Sequence, residues 1–158
     1  MKYFLYPIIL LALQSCATSY GKNSFWNDGG FSETELQPNI FTVRFQGNEF
    51  TSLERASEFS MLRASELCIS RDMGYMEFSN VVSEERQSGY IPGSSTTTAN
   101  ATAVGNSAFG TATTTYTPGT ALYSPEAGLT VRCVSTQSDG AWDARFLENS
   151  LKTKYGIE

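Results

Sequence analysis

One strand, one turn and one long helix are encoded in succession by FTVRFQGNEFTSLERASEFSMLRASELCISRD, residues 41–72. Apolar and polar residues alternate over the first six positions, which is the period-two pattern of a half-buried strand. Thr51-Ser52-Leu53-Glu54 then has the form of a capping box, with Thr51 as the capping residue. We expect the helix to run to about Asp72, and Gly74 suits its C-terminal stop.

The predicted helix carries apolar residues on two sides. One stripe is expected to lie on the sheet and comprises Leu53, Ala56, Ala64, Leu67 and Cys68. A second stripe lies nearly opposite and comprises Phe59, Leu62 and Ile69. A C-terminal helix over Ala141–Thr153, capped by Asp139, is expected to cover this second stripe with Trp142, Phe146, Leu147 and Leu151. The alternative cover is another copy of the chain or a partner protein.

The N-terminus has the layout of an exported protein. Lys2 precedes an apolar run over residues 3–13, which is shorter than the roughly 20 apolar residues that span a bilayer. The run leads into Leu13-Gln14-Ser15-Cys16, which resembles the cleavage box of bacterial lipoproteins. Gln14 departs from the small residue that is usual at that position.

This resemblance implies that residues 1–15 are a signal peptide and that Cys16 is the lipidation site. The thiol would be joined to diacylglycerol, and two or three acyl chains hold a protein stably in one leaflet. The residue after the cysteine is Ala17 rather than Asp, which implies the outer membrane, with the domain facing the periplasm. The alternative is a plain secretory signal followed by a chance cysteine.

Residues 16–30 are expected to comprise the lipidated cysteine and a flexible tether. Their residues are small and polar and end in Asp28-Gly29-Gly30. Fully extended, this tether would reach about 45 Å at roughly 3.3 Å per residue. The alternative is that Phe25 and Trp26 pack on the domain or touch the membrane interface.

Composition fits a single exported domain that has no histidine. Removing the 15 residues before Cys16 from 158 leaves 143, which is enough for a modest core. The net charge of −5 disfavours nucleic acid as a partner, because its phosphates require clustered Lys and Arg. Without histidine, Ser-His-Asp and Cys-His catalysis and His-containing zinc sites are excluded. No metal and no cofactor is expected.

A hydrolase that uses carboxylates alone is the enzymatic alternative. The candidate pairs are Glu33 with Glu35 and Glu84 with Glu85, and the substrate would be peptidoglycan or another glycan. Nothing in the sequence around these residues indicates burial. Solvated charges are therefore the simpler interpretation, and no catalytic residue is assigned.

A low-complexity segment over residues 88–123 is rich in Thr, Ala, Gly and Ser, a composition that is also compatible with disorder. Within it, Gly105-Asn106 is a two-residue hairpin signal. Folding about this turn pairs residues whose numbers sum to 211. One face then carries Thr102/Phe109, Asn100/Thr111, Thr98/Thr113 and Thr96/Thr115, and the other carries Ala103/Ala108, Ala101/Gly110 and Ala99/Ala112. The same register places Phe78 opposite Cys133 and Val82 opposite Leu129 in the core sheet.

Two cysteines remain once Cys16 is lipidated, and the envelope is an oxidising compartment. Cys68 lies on the sheet-facing stripe of the helix, and Cys133 is in phase with the apolar residues of a late strand. A disulfide between them is expected, with a structural role. The alternatives are two buried thiols that serve as small apolar residues, or a thiol-based envelope stress sensor.

A wider family resemblance rests on Val43-Arg44-Phe45-Gln46-Gly47-Asn48, on Thr51-Ser52-Leu53-Glu54-Arg55 and on Leu129-Thr130-Val131-Arg132-Cys133. Together these motifs resemble a family of small proteobacterial cell-envelope lipoproteins whose members carry a Thr/Gly-rich insert before the last strand. The resemblance implies an envelope location and a common domain. It transfers no activity.

The sequence thus predicts an α+β protein, a small two-layer β-α-β-β-α domain over residues 31–158 with a protruding Thr/Ala-rich hairpin arm. The first strand, the helix and the second strand would form a crossover unit. We expect a membrane-anchored, non-catalytic binding or assembly module whose partner is an envelope protein or the cell wall. The predicted interaction surface comprises Arg44, Arg55, Thr98, Thr102, Phe109 and Thr113.

Overall fold

The computed structural model describes residues 16–24 and 29–158. The predicted signal peptide and the aromatic pair Phe25 and Trp26 lie outside the described residues. The elements in chain order are β1 (Gly30–Gln37), β2 (Ile40–Gln46), α1 (Leu53–Ser70), β3 (Tyr75–Ile91), β4 (Ser94–Val104), β5 (Ser107–Thr117), β6 (Thr120–Val134), β7 (Trp142–Asp143) and α2 (Ala144–Tyr155).

The chain is an α+β protein with two compact units. The core unit comprises the described residues up to Arg86 together with Tyr123–Glu158, and the hairpin unit comprises Gln87–Leu122. The hairpin unit coincides within one residue at each end with the low-complexity segment, because small polar residues form few tertiary contacts outside their own ribbon. Neither helix among the described residues is long and apolar enough to cross a bilayer.

The main sheet of the described chain has the strand order β1-β2-β6-β3-β7. β2 is antiparallel to both β1 and β6, with Val43 opposite Glu33 on one side and Leu129 on the other. β2 and β3 are separated by β6 and connected through α1, so the predicted crossover encloses one intervening strand. β3 and β6 are neighbours, as the hairpin register requires, while the individual pairs Phe78/Cys133 and Val82/Leu129 stay predictions.

The core lies between one face of the sheet and α1. The alternation predicted for β2 is observed, since Phe41, Val43 and Phe45 are buried. They join residues of β1, α1, β3, β6 and α2 in two apolar clusters. The first contains Phe41, Val43, Ala64, Cys68, Met76, Leu129, Val131, Cys133 and Ala144, and the second contains Phe31, Phe45, Ala56, Phe59 and Ala127.

The sequence places residues 31–37 in the domain but predicts no strand there, whereas residues 30–37 form β1. Phe31 is buried, whereas on the same side of the strand Glu33 forms an ion pair with Arg63 of α1 and Glu35 forms one with Arg71, just after α1. Charged residues at alternating strand positions hide the apolar period on which strand prediction depends. β7 was also missed, because two residues are too few to show any period.

The N-terminal cap of α1 is shifted by one residue from the prediction. Ser52 is the capping residue, and its Oγ accepts a hydrogen bond from Arg55 N at 3.1 Å. Thr51 instead bonds to the N-terminal segment of the chain, described below. The helix ends at Ser70 with Arg71 as its C-cap, so Gly74 is not the stop signal.

Two elements, the sheet and α2, pack on the second apolar stripe of α1, where the sequence predicted only the C-terminal helix. The Phe59 ring lies 5.0 Å from the ring centroid of Phe45 in the sheet and 4.8 Å from that of Tyr155 in α2. α2 begins later than predicted and is capped by Asp143 rather than Asp139. Consequently Trp142 lies in β7, and Phe146 is 73% exposed.

The hairpin has the predicted register throughout. Thr98 lies opposite Thr113, Thr102 lies opposite Phe109, and Val104 lies opposite Ser107. Gly105 has a φ of 61°, which suits glycine at the first position of a type II′ turn. Every residue of β4 and β5 is exposed.

The predicted disulfide between Cys68 and Cys133 is present, with the two Cα atoms 5.1 Å apart. Both residues are buried in the first apolar cluster, where the bond connects α1 to β6. It closes a loop of 65 residues that contains the whole hairpin unit. Its burial favours the structural role over a readily reduced thiol switch.

We predict that replacing Cys68→Ala together with Cys133→Ala lowers the free energy of unfolding by about 4 kcal/mol, because loop-closure entropy of the unfolded chain increases with loop length. Urea unfolding followed by circular dichroism measures this change. Reduction of the wild type should reproduce it and leave the double variant unaffected. An unchanged urea midpoint would contradict a stabilising bridge.

Candidate functional site

The predicted lipidation residue is held against the domain. Cys16 is exposed and its thiol is free, in contrast to the buried Cys68 and Cys133. The Cys16 carbonyl accepts a hydrogen bond from Asn48 Nδ2 at 2.7 Å. Asn48 lies in the loop over residues 47–51, between β2 and α1, so Cys16 is attached to the end of the core unit where α1 begins.

Two threonines extend this attachment on either side of Asn48. Thr18 is buried, its backbone N–H donates to Thr51 Oγ1 at 3.0 Å, and its own hydroxyl oxygen accepts from Asn48 N at 2.8 Å. Thr51 Oγ1 in turn donates to Asn48 Oδ1 at 2.9 Å. The three side chains therefore form one network that joins the start of the chain to the loop before α1.

Tyr20, two residues after Thr18, packs against the second apolar cluster. Its ring lies 5.1 Å from Phe31 and 5.3 Å from Phe59, centroid to centroid. Its hydroxyl donates to Glu66 Oε2 at 2.6 Å. Burial raises the pKa of the Tyr20 hydroxyl far above its usual range, and the hydrogen bond to Glu66 and the charge of Glu66 add to the increase.

A short parallel bridge between Lys22 and Phe31 continues the contact along β1. Phe31 N donates to Gly21 O, and Asn23 N donates to Phe31 O, both at 2.8 Å. The expectation of a flexible tether is therefore wrong for residues 16–24, here called the N-terminal segment. Its polar residues form hydrogen bonds with the domain instead of with water. Composition alone does not distinguish these two cases.

A groove of about 380 Å³ lies beside the N-terminal segment, between it and the C-terminal end of α2. Arg55 lines it, with its guanidinium 5.0 Å from the Tyr155 ring centroid and 5.5 Å from that of Phe59. Arg55 Nε is buried and has no hydrogen-bond partner among the described residues. The remaining lining residues are Ala17, Thr18, Ser19, Tyr20 and Ile157.

Arg44 lies on the other side of the sheet, so the predicted surface that included both Arg44 and Arg55 is not one surface. Side chains of a strand alternate between faces, and the neighbours of Arg44, Val43 and Phe45, point into the core. Arg44 instead lines an open groove of about 300 Å³ across β2, β6 and β3. Gly128, directly opposite, has no side chain to fill this space.

The charges in this open groove are balanced. Glu126 is half-buried and lies between two arginines, 3.6 Å from Arg44 and 3.2 Å from Arg86 between charged atoms. Arg86 also pairs with Glu84 at 3.7 Å. The groove therefore offers no excess charge of either sign to a ligand.

Glu33 and Glu35, the first carboxylate pair proposed for the enzymatic alternative, form ion pairs. Glu33 contacts Arg63 at 3.0 Å and Glu35 contacts Arg71 at 2.7 Å. The hydrogen bond from Arg71 lowers the pKa of the Glu35 carboxyl below its usual value. Both acids connect β1 to α1, which is a structural role. Among the described residues no three acidic or cysteine side chains are grouped closely enough to hold a metal ion.

The hairpin presents two exposed faces of different chemistry. Thr98, Thr102, Phe109 and Thr113 share one face, as their pairing requires. The opposite face is not as smooth as the sequence indicated, because Thr97 and Thr114 lie on it and their hydroxyls are 2.8 Å apart. Its alanine and glycine positions are confined to the half near the turn.

We predict that Asn48→Ala lowers the free energy of unfolding by about 2 kcal/mol, because its side chain makes hydrogen bonds to Cys16, Phe50 and Thr51. Urea unfolding measures the loss, and amide hydrogen exchange of Thr18 should accelerate. Asn48→Asp is the companion variant, since it keeps the acceptor oxygen and replaces the donor to Cys16 with a charged oxygen. Unchanged exchange at Thr18 in Asn48→Ala would contradict the network.

We predict that Tyr20 stays protonated at alkaline pH until the protein unfolds. The folded pKa is raised above the unfolded value, so the stabilisation is complete below about pH 10 and is lost as pH rises above it. Ultraviolet titration should show one fewer late-ionising tyrosine in Tyr20→Phe than in the wild type. Tyr116→Phe, which removes an exposed tyrosine of the hairpin, should retain that late step. Identical late steps in wild type and Tyr20→Phe would refute the prediction.

Comparison of the chain with protein-family models, with curated proteins and with solved structures finds no match. The resemblance to proteobacterial lipoproteins therefore stays a prediction based on the residues themselves. The described part of the chain offers three surfaces for a functional interpretation: the groove at Arg55, the open groove at Arg44 and the hairpin.

Proposed function

We propose that the protein is a lipid-anchored cell-envelope protein, held in the outer membrane by acyl chains on Cys16 and facing the periplasm. The support is the cleavage box that ends at Cys16, together with the exposure of this thiol while the other two cysteines are bonded to each other. An acylating enzyme requires an accessible thiol. Two or more chains would make the attachment stable.

The proposed activity is non-catalytic binding or assembly at the membrane surface, mediated by the hairpin. A two-stranded ribbon is marginal in water unless something packs on it. Here 11-residue strands pair over their whole length with every residue exposed. This unpartnered length is the observation that carries the proposal, because contact with an envelope protein or the cell wall would stabilise it.

The Thr face, defined as Thr98, Thr102, Phe109 and Thr113, is the surface we propose for that partner. Threonine hydroxyls in register can donate and accept hydrogen bonds along the strand direction. Phe109 adds an exposed aromatic ring near the turn. Arg44 and Arg55 lie on separate faces of the core unit and are not part of this surface.

We predict that Cys16→Ala abolishes acylation and membrane association. Intact-mass measurement of protein from cells should show an acyl-sized increment in the wild type and none in the variant. The Cys68→Ala, Cys133→Ala double variant is the matched control, because it removes two cysteines and retains the increment. A soluble, unacylated wild type would refute the anchor.

We predict that a photo-crosslinking residue at Thr98 captures a discrete envelope component in cells. The same residue at the neighbouring Ala99 is the matched control, since it lies on the opposite face of the same strand. Thr102→Asp together with Thr113→Asp, which leaves the crosslinking residue at Thr98 in place, should remove the product while the protein stays membrane-bound. Equal products from both positions, or none from either, would contradict recognition by the Thr face.

A further inference from the structure

We propose that the loop over residues 47–51 is a membrane-contacting surface, in which the Phe50 ring inserts into the interface of the leaflet that holds the acyl chains of Cys16. This inference rests on the proposed lipidation. It concerns a second, non-covalent contact with lipid and the orientation of the core unit that follows from it.

Cys16, the proposed lipidation site, is attached to the core unit without a flexible spacer. The Cys16 carbonyl itself is hydrogen-bonded to Asn48 Nδ2, and Thr18 is buried two residues later. A flexible tether would allow any face of the domain to meet the membrane. Here the core unit is attached to the lipidated residue directly, so the surface around Cys16 must lie at the headgroup level.

Phe50 lies beside Cys16, because both residues bond to the side-chain amide of Asn48. Its backbone N–H donates to Asn48 Oδ1 at 3.1 Å, while Nδ2 of the same amide donates to Cys16 O at 2.7 Å. Two hydrogen bonds and the width of one side-chain amide therefore separate the two backbones. An acyl chain that starts at Cys16 enters the bilayer immediately next to Phe50.

The Phe50 side chain is exposed. It is 68% exposed, in a loop whose backbone is held by four hydrogen bonds: Asn48 N to Thr18 Oγ1, Phe50 N to Asn48 Oδ1, Thr51 N to Asn48 O, and Gly47 N to Pro125 O. An exposed aromatic ring in a fixed loop favours a membrane interface over water. The net charge of −5 gives no electrostatic attraction to anionic lipid, so the contact that we propose depends on the apolar Phe50 ring.

The orientation follows from the helices. α1 starts at Leu53, just after the loop, and its 18 residues extend about 27 Å at 1.5 Å per residue. α2 runs antiparallel to it, since Tyr155 contacts Phe59 near the start of α1 and Ala144 N bonds to Gly74 O beyond its end. Phe146, in the first turn of α2, therefore lies at the opposite end from Phe50.

The two exposed phenylalanines provide a matched test. In a Trp26→Phe, Trp142→Phe background, single Phe50→Trp and Phe146→Trp proteins are purified with their acyl chains and reconstituted into phosphatidylethanolamine/phosphatidylglycerol vesicles. Part of the lipid carries bromine near the top of the acyl chains, which quenches tryptophan on contact. Intact mass and vesicle flotation are measured on the same samples.

We expect Phe50→Trp to shift to shorter emission wavelength and to lose most of its fluorescence, while Phe146→Trp keeps its emission. Adding Asn48→Ala should weaken the quenching of Phe50→Trp without changing the acyl mass, because it releases Cys16 from the loop. Acylated, floating protein with unquenched Phe50→Trp, or with both positions quenched equally, would overturn this inference and leave the anchor intact. Protein without acyl mass would overturn both.

Discussion

Packing of one face of the sheet against α1 is the constraint on which the rest of the structure depends. Phe41, Val43 and Phe45 are buried on that face, and the disulfide from Cys68 to Cys133 reinforces the same interface. Because both helices lie on one side, the alternate residues of β2 face outward. This one-sided arrangement creates the open groove at Arg44 and separates it from the aromatic groove at Arg55.

Attachment of the N-terminal segment gives the predicted lipid anchor a defined geometry. Asn48 bonds to Cys16 through one atom of its amide and to the 47–51 loop through the other. Tyr20 and Thr18 then attach this segment to the core unit with a half-buried ring and a buried hydroxyl. A lipid on Cys16 would restrict the orientation of the core unit, whereas a flexibly tethered unit would sample many orientations.

The hairpin unit is stabilised by different interactions from those that stabilise the core unit. Strand pairing, cross-strand threonine contacts and a glycine turn hold β4 and β5 together, with no buried apolar residue in either strand. Such a ribbon gains little from the hydrophobic effect, so its stability depends on what it contacts. The core unit, in contrast, buries aromatic and aliphatic side chains from α1, β2 and β6.

Sequence alone determined the features that depend on a local period or on pairing across a turn. These are the alternation of β2, the existence of α1, and the Gly105-Asn106 turn with its whole register. The number of cysteines and their positions on apolar faces indicated the bond between Cys68 and Cys133. It missed β1 and the docking of residues 16–24, and it grouped Arg44 with Arg55. Those features depend on polar contacts between distant segments, such as Glu33 with Arg63 and Cys16 with Asn48. A polar side chain has the same local pattern whether it bonds to water or to the protein, so only the tertiary structure decided between them.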